Sequence, residues 1–159
     1  MVIKLNNIKY ACLSVLALVL ISCANNNNMK NLEIIKSTYE GKNSKENGLA
    51  LQQHLAPNAS WTEAKGFPYA GTYIGFKSIA KNVFTRLATE WIDYSFSPED
   101  YITQGDQVVA YGTYSGIYKK TNKPFTARVA HIWKLKDNKI IRFEQIVDSK
   151  PVLEAMSLD

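Results

Sequence analysis

The sequence contains little cysteine and little histidine, two residues of each among 159. Cys12 lies within an apolar N-terminal run, and Cys23 follows directly after that run. A disulfide framework needs several paired cysteines, and a structural zinc site needs four Cys or His ligands. No close grouping of His, Asp and Glu takes their place, so we expect neither a disulfide-stabilised fold nor a metal site.

The chain also lacks a strong excess of charge of one sign. Lys and Arg number 19 against 14 Asp and Glu, a formal net charge of +5, and no dense basic cluster occurs. This balance argues against nucleic acid as a partner. The sequence has no glycine-rich phosphate loop and no nucleophile elbow, and we expect no cofactor.

The N-terminal apolar run is too short to cross a membrane. It extends over residues 11–21, follows Lys4 and Lys9, and ends in Leu20-Ile21-Ser22-Cys23, whereas a membrane-spanning helix needs about 20 apolar residues. A basic segment, a short apolar run and small residues before a cysteine are typical of a bacterial lipoprotein signal. We therefore predict that Cys23 is acylated and becomes the N-terminus.

This interpretation divides the chain into a signal peptide (1–22), a lipidated cysteine with an asparagine-rich tether (23–30) and one domain (31–159). Several acyl chains on one residue anchor a protein stably, whereas a single chain does not. We therefore expect a cell-envelope location with membrane attachment through Cys23. Ala24, rather than Asp, follows the cysteine, which in a Gram-negative host favours the outer membrane, facing the periplasm.

The remaining chain has a pattern of helices first and strands afterwards, an α+β layout. Leu32, Ile35 and Tyr39 recur at helical spacing, and a hydrophobic share of 46% allows a proper core. We predict two further helices, over 48–55 and 75–90, and a closing helical turn. Alternating apolar and polar residues predict strands over 59–63, 94–103, 107–118, 125–135 and 139–147.

The last two strands form a predicted hairpin whose register decides which side chains face the core. The apolar residues of both arms are odd-numbered, and side chains alternate with a period of two. A two-residue turn would pair Lys136 with Lys139, an odd sum that separates the two apolar faces. We therefore predict a three-residue loop over 136–138, with Asn138 in the left-handed conformation that asparagine tolerates. The residues that then share one face are His131, Trp133, Phe143 and Gln145.

Four segments carry a family resemblance: residues 127–133 (ARVAHIW), 136–140 (KDNKI), 142–149 (RFEQIVDS) and the loop 71–75 (GTYIG). They resemble the SnoaL-like branch of the nuclear-transport-factor-2-like superfamily, over residues 32–156. The resemblance implies an α+β fold in which a curved antiparallel β-sheet wraps around N-terminal helices as a cone with a mostly apolar pocket. Members include a ketosteroid isomerase, polyketide cyclases and non-catalytic binding modules, and many are dimers.

The resemblance also implies positions for catalytic side chains. The isomerase branch uses a carboxylate base on the first strand and a tyrosine on the first helix, which correspond to Glu63 and Tyr39. Its third acid, on the penultimate strand, corresponds to His131. Polyketide cyclases of this kind have a histidine there and an aspartate on the last strand, where this sequence has Gln145. The cyclase pattern is thus half kept, with the histidine present and the acid absent.

Each candidate also has a purely structural explanation. Glu63 can be a solvated strand end beside Lys65. His131 can be a core histidine with satisfied hydrogen bonds, and Tyr39 a core tyrosine. The neutral amide of Gln145 can orient a ligand but cannot act as a general base. The aromatic residues expected to line the pocket are Trp61, Tyr69, Trp133 and Phe143.

Two functions are compatible with these features. In the first, a small apolar molecule binds in the cone, with cofactor-free isomerase, cyclase or lyase chemistry if the protein is an enzyme. Glu63 then moves the proton, and Tyr39 and His131 stabilise an oxyanion. His131 is expected to donate to a ligand oxygen or to titrate near neutral pH.

In the second, a non-catalytic module at the cell envelope uses the outer face of the sheet or a homodimer interface. A filled cone with Glu63 pointing outward favours this alternative. A cavity on the order of a few hundred Å³ with convergent polar groups favours the first function.

Overall fold

The computed structural model describes residues 27–158 of the chain. The predicted signal peptide, the predicted lipidation of Cys23 and the last residue lie outside the described residues. Within residues 27–158, no helix is both long enough and apolar enough to cross a membrane.

Two helices open the described part of the chain. α1 is helical over residues 27–37, so residues 27–30, which the sequence assigns to the tether, belong to this helix. The low helix propensity of asparagine is overridden because α1 buries Ile35 completely in the core. α2 extends over Ser44–His54. Asn43 caps it with a side-chain oxygen that accepts a backbone N–H of the first turn.

Six strands form one sheet in the order β2-β1-β6-β5-β4-β3. Their bounds are β1 Leu55–Glu63, β2 Gly71–Ile74, β3 Trp91–Gln104, β4 Gln107–Tyr118, β5 Lys123–Lys136 and β6 Lys139–Val147. The predicted α+β fold, a curved open sheet with N-terminal helices, is confirmed. The sheet is mixed rather than wholly antiparallel, because β1 lies parallel to β6. No hairpin joins these two strands, so no turn forces them to be antiparallel.

A helical segment connects β2 to β3 and has three parts. These are α3 (Gly75–Ile79), a π-helical turn (Ala80–Phe84) and α4 (Thr85–Glu90), and together they match the predicted helix over 75–90. A π-helical turn has more residues per turn than an α-helix, so it changes which side chains face the sheet. Val83 is buried, and Phe84 packs against the same core.

The loop of the β5–β6 hairpin differs from the prediction. Lys136 pairs with Lys139, so the turn has two residues rather than three. Asp137 and Asn138 both have positive φ, 50° and 61°, as a type I′ turn requires. The predicted left-handed Asn138 is confirmed, but the three-residue loop is wrong, because Asp137 also accepts this conformation.

A bulge in β6 supplies the extra residue that the predicted loop was meant to supply. Leu135 pairs with Ile140, whereas Lys134 pairs with Arg142, so Ile141 has no partner in this register. One inserted residue restores the even sum beyond the bulge. The predicted shared face is therefore confirmed, with the pairs Trp133–Phe143 and His131–Gln145.

The core lies on the inner face of the sheet in two parts. The first joins the helices α1 and α3 to strands β1, β5 and β6, and contains Ile35, Ile79, Trp61, Trp133 and Phe143. The second packs the C-terminal helix α5 (Ser149–Met156) against strands β3 to β5, and contains Trp91, Tyr114, Phe125 and Val152.

Candidate functional site

The inner face of the sheet and the helices enclose a cavity of about 220 Å³. Its walls come from the turn after α1, from α2, from the π-helical turn and α4, and from five of the six described strands. It brings together residues that lie up to about 100 positions apart in the sequence. The predicted site residues that line it are Tyr39, Trp61, Glu63, His131, Trp133, Phe143 and Gln145.

Glu63 is the last residue of β1, and its carboxylate is buried. Side chains alternate along β1, so Trp61 and Glu63 face the interior, while Thr62 contacts Thr72 of β2. The Trp61 indole donates a hydrogen bond to Glu63 Oε1 at 2.6 Å. Glu63 Oε2 has no hydrogen-bond partner among the described residues. A solvated strand end is therefore excluded, since Glu63 is only 4% exposed whereas Lys65 lies at the surface.

The proton affinity of Glu63 follows from this burial. Removal from water disfavours the charged carboxylate and raises the pKa of Glu63 to about 7, although the hydrogen bond from Trp61 acts in the opposite direction. Glu63 therefore takes up and releases a proton near neutral pH. This is the property that a general acid or base requires.

His131, on β5, lies between two tyrosine hydroxyls. Its Nδ1 is 2.6 Å from the Tyr39 hydroxyl, and its Nε2 is 2.5 Å from the Tyr114 hydroxyl. Burial lowers the pKa of His131 to about 3, so the ring is neutral at pH 7 and carries one N–H. The expected titration near neutral pH does not hold, because burial is the sole cause acting on the ring. With both nitrogens engaged by tyrosine hydroxyls, His131 has no ring nitrogen left for a further hydrogen bond among the contacts of residues 27–158.

Tyr39 lies just beyond α1, where its backbone N–H bonds to the Lys36 carbonyl and closes the last turn. The Trp133 indole donates to the Tyr39 hydroxyl at 3.0 Å. The phenol ring packs edge-on against Phe96, with ring centroids 4.9 Å apart. Burial raises the pKa of Tyr39 well above its ordinary value, so the hydroxyl stays protonated and able to donate.

Gln145 and Tyr114 extend the polar row that begins at Tyr39. The Ala64 backbone N–H donates to Gln145 Oε1 at 3.2 Å, which fixes the orientation of the amide because an N–H needs an acceptor. Gln145 Nε2 then donates to the Tyr114 hydroxyl at 3.2 Å. A continuous row of hydrogen bonds therefore runs from Tyr39 through His131 and Tyr114 to Gln145.

Aromatic rings form the apolar part of the cavity wall. Trp61 stacks on Phe143 with ring centroids 3.7 Å apart. Trp133 packs edge-on against Trp61 at 5.5 Å. These large rings leave little freedom for rearrangement and present flat faces, which suits a ring-shaped apolar ligand.

Tyr69 lies outside the cavity, contrary to the expectation from the sequence. Its hydroxyl donates to Glu90 at 2.9 Å and accepts from the Trp91 indole at 2.7 Å. The Arg86 guanidinium lies over its ring, 4.1 Å from the centroid. These contacts hold the loop after β1 against α4. The role of Tyr69 is therefore structural.

Sequence reasoning missed Tyr114, the second hydroxyl on His131. The even-numbered residues of β4 are buried, so the alternation of this strand indicates that Tyr114 faces inwards. It does not indicate the partner, because Tyr114 pairs across the sheet with Ala127, and His131 pairs with Ala110. The two side chains meet diagonally across the paired strands, a contact that the strand register does not reveal. The other lining residues that were missed include Leu51, Val83, Phe84, Leu87, Tyr94 and Phe96.

The site combines a titrating carboxylate with hydroxyl donors around a small, mostly apolar space. Glu63 can exchange a proton, and the phenols can donate to an oxygen that gains negative charge. Among residues 27–158, no three His, Cys, Asp or Glu side chains are grouped so as to hold a metal ion. The absence of a metal and of a cofactor stays a prediction from the sequence.

Comparison with known proteins agrees with this fold. The SnoaL-like domain family matches residues 42–143. An NTF2-like protein from Burkholderia thailandensis is 39% identical with a TM-score of 0.75, and the match covers 80% of this chain and 97% of that chain. TerC, co-crystallised with polyporic acid, is 25% identical with a TM-score of 0.70, covering 80% and 98%.

More distant structures share the fold alone. A protein with a ketosteroid isomerase-like fold from Catenulispora acidiphila, in complex with trimethylamine, is 17% identical with a TM-score of 0.61. That match covers 76% of this chain and 86% of that chain. A search of curated proteins found no match. Because the domain family matches more than half of the chain and a 39%-identical structure covers most of it, this protein belongs to the SnoaL-like family and has the NTF2-like fold.

Proposed function

We propose that this protein binds a small, largely apolar molecule with a carbonyl or phenolic oxygen in its cavity, and that Glu63 moves a proton on that molecule. The reaction class is that of a cofactor-independent isomerase, cyclase or lyase. The observation that carries the proposal is the Glu63 carboxylate, which is buried with one oxygen unpartnered within residues 27–158 and has a pKa of about 7. An unpartnered buried polar atom is rare and calls for an explanation, which a proton on a bound ligand supplies.

The remaining polar groups have roles that follow from their hydrogen bonds. A tyrosine hydroxyl of the row donates to the ligand oxygen as negative charge develops on it. Tyr39 is the residue proposed for this contact. His131 and Gln145 hold the tyrosines in place, since each of them bonds a phenol oxygen.

The size of the cavity limits the ligand. An apolar cavity of about 150 Å³ takes one benzene ring. The cavity of about 220 Å³ therefore suits one ring with short substituents, and a four-ring steroid is too large. The stacked Trp61 and Phe143 rings in its wall favour a flat molecule. The co-crystallisation of the related TerC with polyporic acid is consistent with an organic ligand in this family.

We propose that the protein acts at the cell envelope and is attached to the membrane through acylated Cys23. The support is in the sequence: two lysines, a short apolar run, and Leu20-Ile21-Ser22 before the cysteine. A cleaved signal and a lipidated cysteine explain all three features together.

Deuterium uptake by small cyclic ketones tests the catalytic proposal. The protein is incubated in D₂O with cyclohexanone, cyclohexenone and indanone, and uptake next to the carbonyl is followed by NMR. The parent is expected to catalyse uptake, and Glu63→Gln to lower the rate roughly 100-fold or more. Glu33→Gln, an exposed glutamate on α1, is the matched control and should leave the rate unchanged.

The outcomes separate the parts of the proposal. If Glu63→Gln catalyses deuterium uptake as fast as the parent, the catalytic base is another residue. If the panel gives neither uptake nor thermal stabilisation of the protein, the ligand class is wrong. Thermal stabilisation without uptake supports a binding protein rather than an enzyme.

A second function, self-association, is favoured by the outer face of the sheet. Two isoleucines there are strongly exposed, Ile102 at 60% and Ile146 at 55%, and exposed apolar patches often mark interfaces. Ile102 pairs with Val109, which pairs in turn with Ile132. Ile146 pairs with Ala130, which pairs in turn with Tyr111. We expect a homodimer through this face. Sedimentation should then show a dimer for the parent and a monomer for Ile146→Glu, and a monomeric parent contradicts it.

A further inference from the structure

The tyrosine–histidine array, which consists of Tyr39, His131 and Tyr114, holds one hydrogen more than its internal contacts use. A neutral imidazole carries one N–H, and each phenol carries one O–H. The two internal contacts, Tyr39 to Nδ1 and Tyr114 to Nε2, use one hydrogen each. One phenolic hydrogen is therefore left over.

The groups that donate to the two ends of the array cannot accept this hydrogen, but the Tyr94 hydroxyl, which hydrogen-bonds with Tyr114, can accept it at that end. The Trp133 indole donates to Tyr39, and an indole N–H has no acceptor function. The Gln145 amide nitrogen donates to Tyr114, and the Ala64 N–H fixes the amide in that orientation. Both phenol oxygens thus accept from outside the array, and the extra hydrogen points away from it.

Two arrangements satisfy all of these contacts. When Nδ1 carries the hydrogen, His131 donates to Tyr39, Tyr114 donates to Nε2, and the O–H of Tyr39 is free. When Nε2 carries the hydrogen, the roles are exchanged, and the O–H of Tyr114 is left to point at the neighbouring Tyr94 hydroxyl or into the cavity. Both forms contain the same number of hydrogens and differ only in the tautomer of His131.

We propose that His131 is a two-state switch that decides whether Tyr39 or Tyr114 has the O–H that does not donate to the imidazole, and that a ligand oxygen beside Tyr39 selects the form with hydrogen on Nδ1. Tyr114 is then a positioning residue, which acts on the ligand through His131. Both tyrosines line the same cavity. The selection by a ligand rests on the proposed function, whereas the two tautomers are a property of the free protein.

The tautomers can be measured directly, because the chain has two histidines and replacing His54 leaves His131 as the one histidine signal. In a His54→Gln background, ¹⁵N NMR of labelled histidine reports His131 alone. The parent ring is expected to be neutral with the hydrogen shared between both nitrogens. A buried N–H without an acceptor is unfavourable, so Tyr114→Phe should leave the hydrogen on Nδ1, and Tyr39→Phe should leave it on Nε2.

Tyr118→Phe is the matched control for these variants. Tyr118 lies on the same strand and the same face as Tyr114 and is buried in the same part of the core, but it is not among the described residues that line the cavity. It should keep the tautomer distribution of the parent. A single tautomer that is the same in Tyr39→Phe and Tyr114→Phe overturns the switch.

Binding of 4-nitrophenol tests the selection by a ligand. Tyr39→Phe should weaken binding roughly tenfold or more, because a hydrogen bond to the phenol oxygen is lost. Tyr114→Phe should bind at least as tightly as the parent, because it keeps the Tyr39 O–H permanently free. Equal weakening in both variants contradicts the selection. If 4-nitrophenol does not bind to the parent, the proposed ligand class fails, and the NMR result still decides whether the switch exists.

Discussion

Burial moves the pKa values of the carboxylic acid and the imidazole that line the cavity, Glu63 and His131, in opposite directions. It raises the pKa of the carboxyl group to about 7 and lowers the pKa of the imidazole to about 3. In both cases the charged form is disfavoured by removal from water. Between these two values the cavity contains neutral groups, so an apolar ligand enters it without meeting a fixed charge.

Glu63→Gln should change how stability depends on pH. The pKa of Glu63 is about 7 in the folded state against an ordinary 4.5, so its contribution to stability is present below pH 4.5 and lost as pH rises through 7. At 1.36 kcal/mol per unit, the variant should gain about 3 kcal/mol on the parent between pH 4.5 and pH 8. Urea denaturation at both values measures this gain, with Glu33→Gln as the control. A difference that does not change with pH contradicts the raised pKa.

His131→Gln should show the opposite dependence. The pKa of His131 is lowered from 6.5 to about 3, so the neutral ring stabilises the fold above pH 6.5, and this stability is lost as pH falls towards 3. The glutamine variant should be less stable than the parent at pH 7. Its deficit should be smaller by about 3 kcal/mol at pH 4, because the parent loses about 1.36 kcal/mol for each pH unit between its ordinary pKa of 6.5 and pH 4. Chemical denaturation at the two pH values tests this. A deficit that is the same at both values would mean that the pKa of His131 is not lowered by folding.

At the scale of elements, two local irregularities place side chains at the site. The bulge at Ile141 brings Gln145 opposite His131, where a regular two-residue hairpin would bring an outward-facing residue. The π-helical turn ends at Phe84, which lines the cavity beside Val83. Bulges and π-turns are frequent at functional sites because they redirect side chains without breaking an element.

The turn of the β5–β6 hairpin gives a prediction at this scale. Asn138 has a φ of 61°, a conformation that costs other L-residues about 1–2 kcal/mol. Asn138→Ala should therefore lower the free energy of unfolding by about 1 kcal/mol, whereas Asn138→Gly should not lower it. Asn58→Ala, at an exposed strand position without positive φ, is the control. Equal unfolding free energies for the alanine and glycine variants would argue against this turn geometry.

At the scale of the whole molecule, an anchored protein would present its cavity close to a membrane. Small apolar molecules partition into lipid, so an attached domain meets them at higher local concentration than a free one. The predicted anchor and the cavity are independent of each other, since the prediction rests on residues before Ala24 and the cavity is lined by residues from Thr38 to Gln145.

Lipidation is tested by expressing the whole chain in a bacterial host with labelled palmitate. The parent should incorporate label and begin at acylated Cys23, as read by mass spectrometry of the N-terminal peptide. Cys23→Ala should incorporate none and keep residues 1–22. Cys12→Ala should behave like the parent. Label in Cys23→Ala, or a parent without label, contradicts the predicted anchor.

Much of the fold was accessible from the sequence because it depends on local spacing. The bounds of the long helical segment, 75–90, and of strand β4, 107–118, agree with the structure. The parity argument gave the correct shared face for His131 and Gln145. Parity predicted one extra residue in the turn, whereas the structure has it in β6, at Ile141. An extra residue at either place makes the paired residue numbers sum to an even value. The parallel pairing of β1 with β6 had no local signal.

By itself, the sequence determined the α+β class, the order of the elements other than strand β2, which was predicted as a loop, and the candidates Tyr39, Glu63 and His131, since periodicity and family resemblance are properties of the chain. Only the tertiary structure decided that these three side chains share a cavity, that Tyr114 completes the row, and that Tyr69 does not reach it. The curvature of the sheet decides these contacts, and it arises from bulges and packing across distant strands. Burial is likewise a property of the whole fold, and it sets the pKa values of Glu63 and His131.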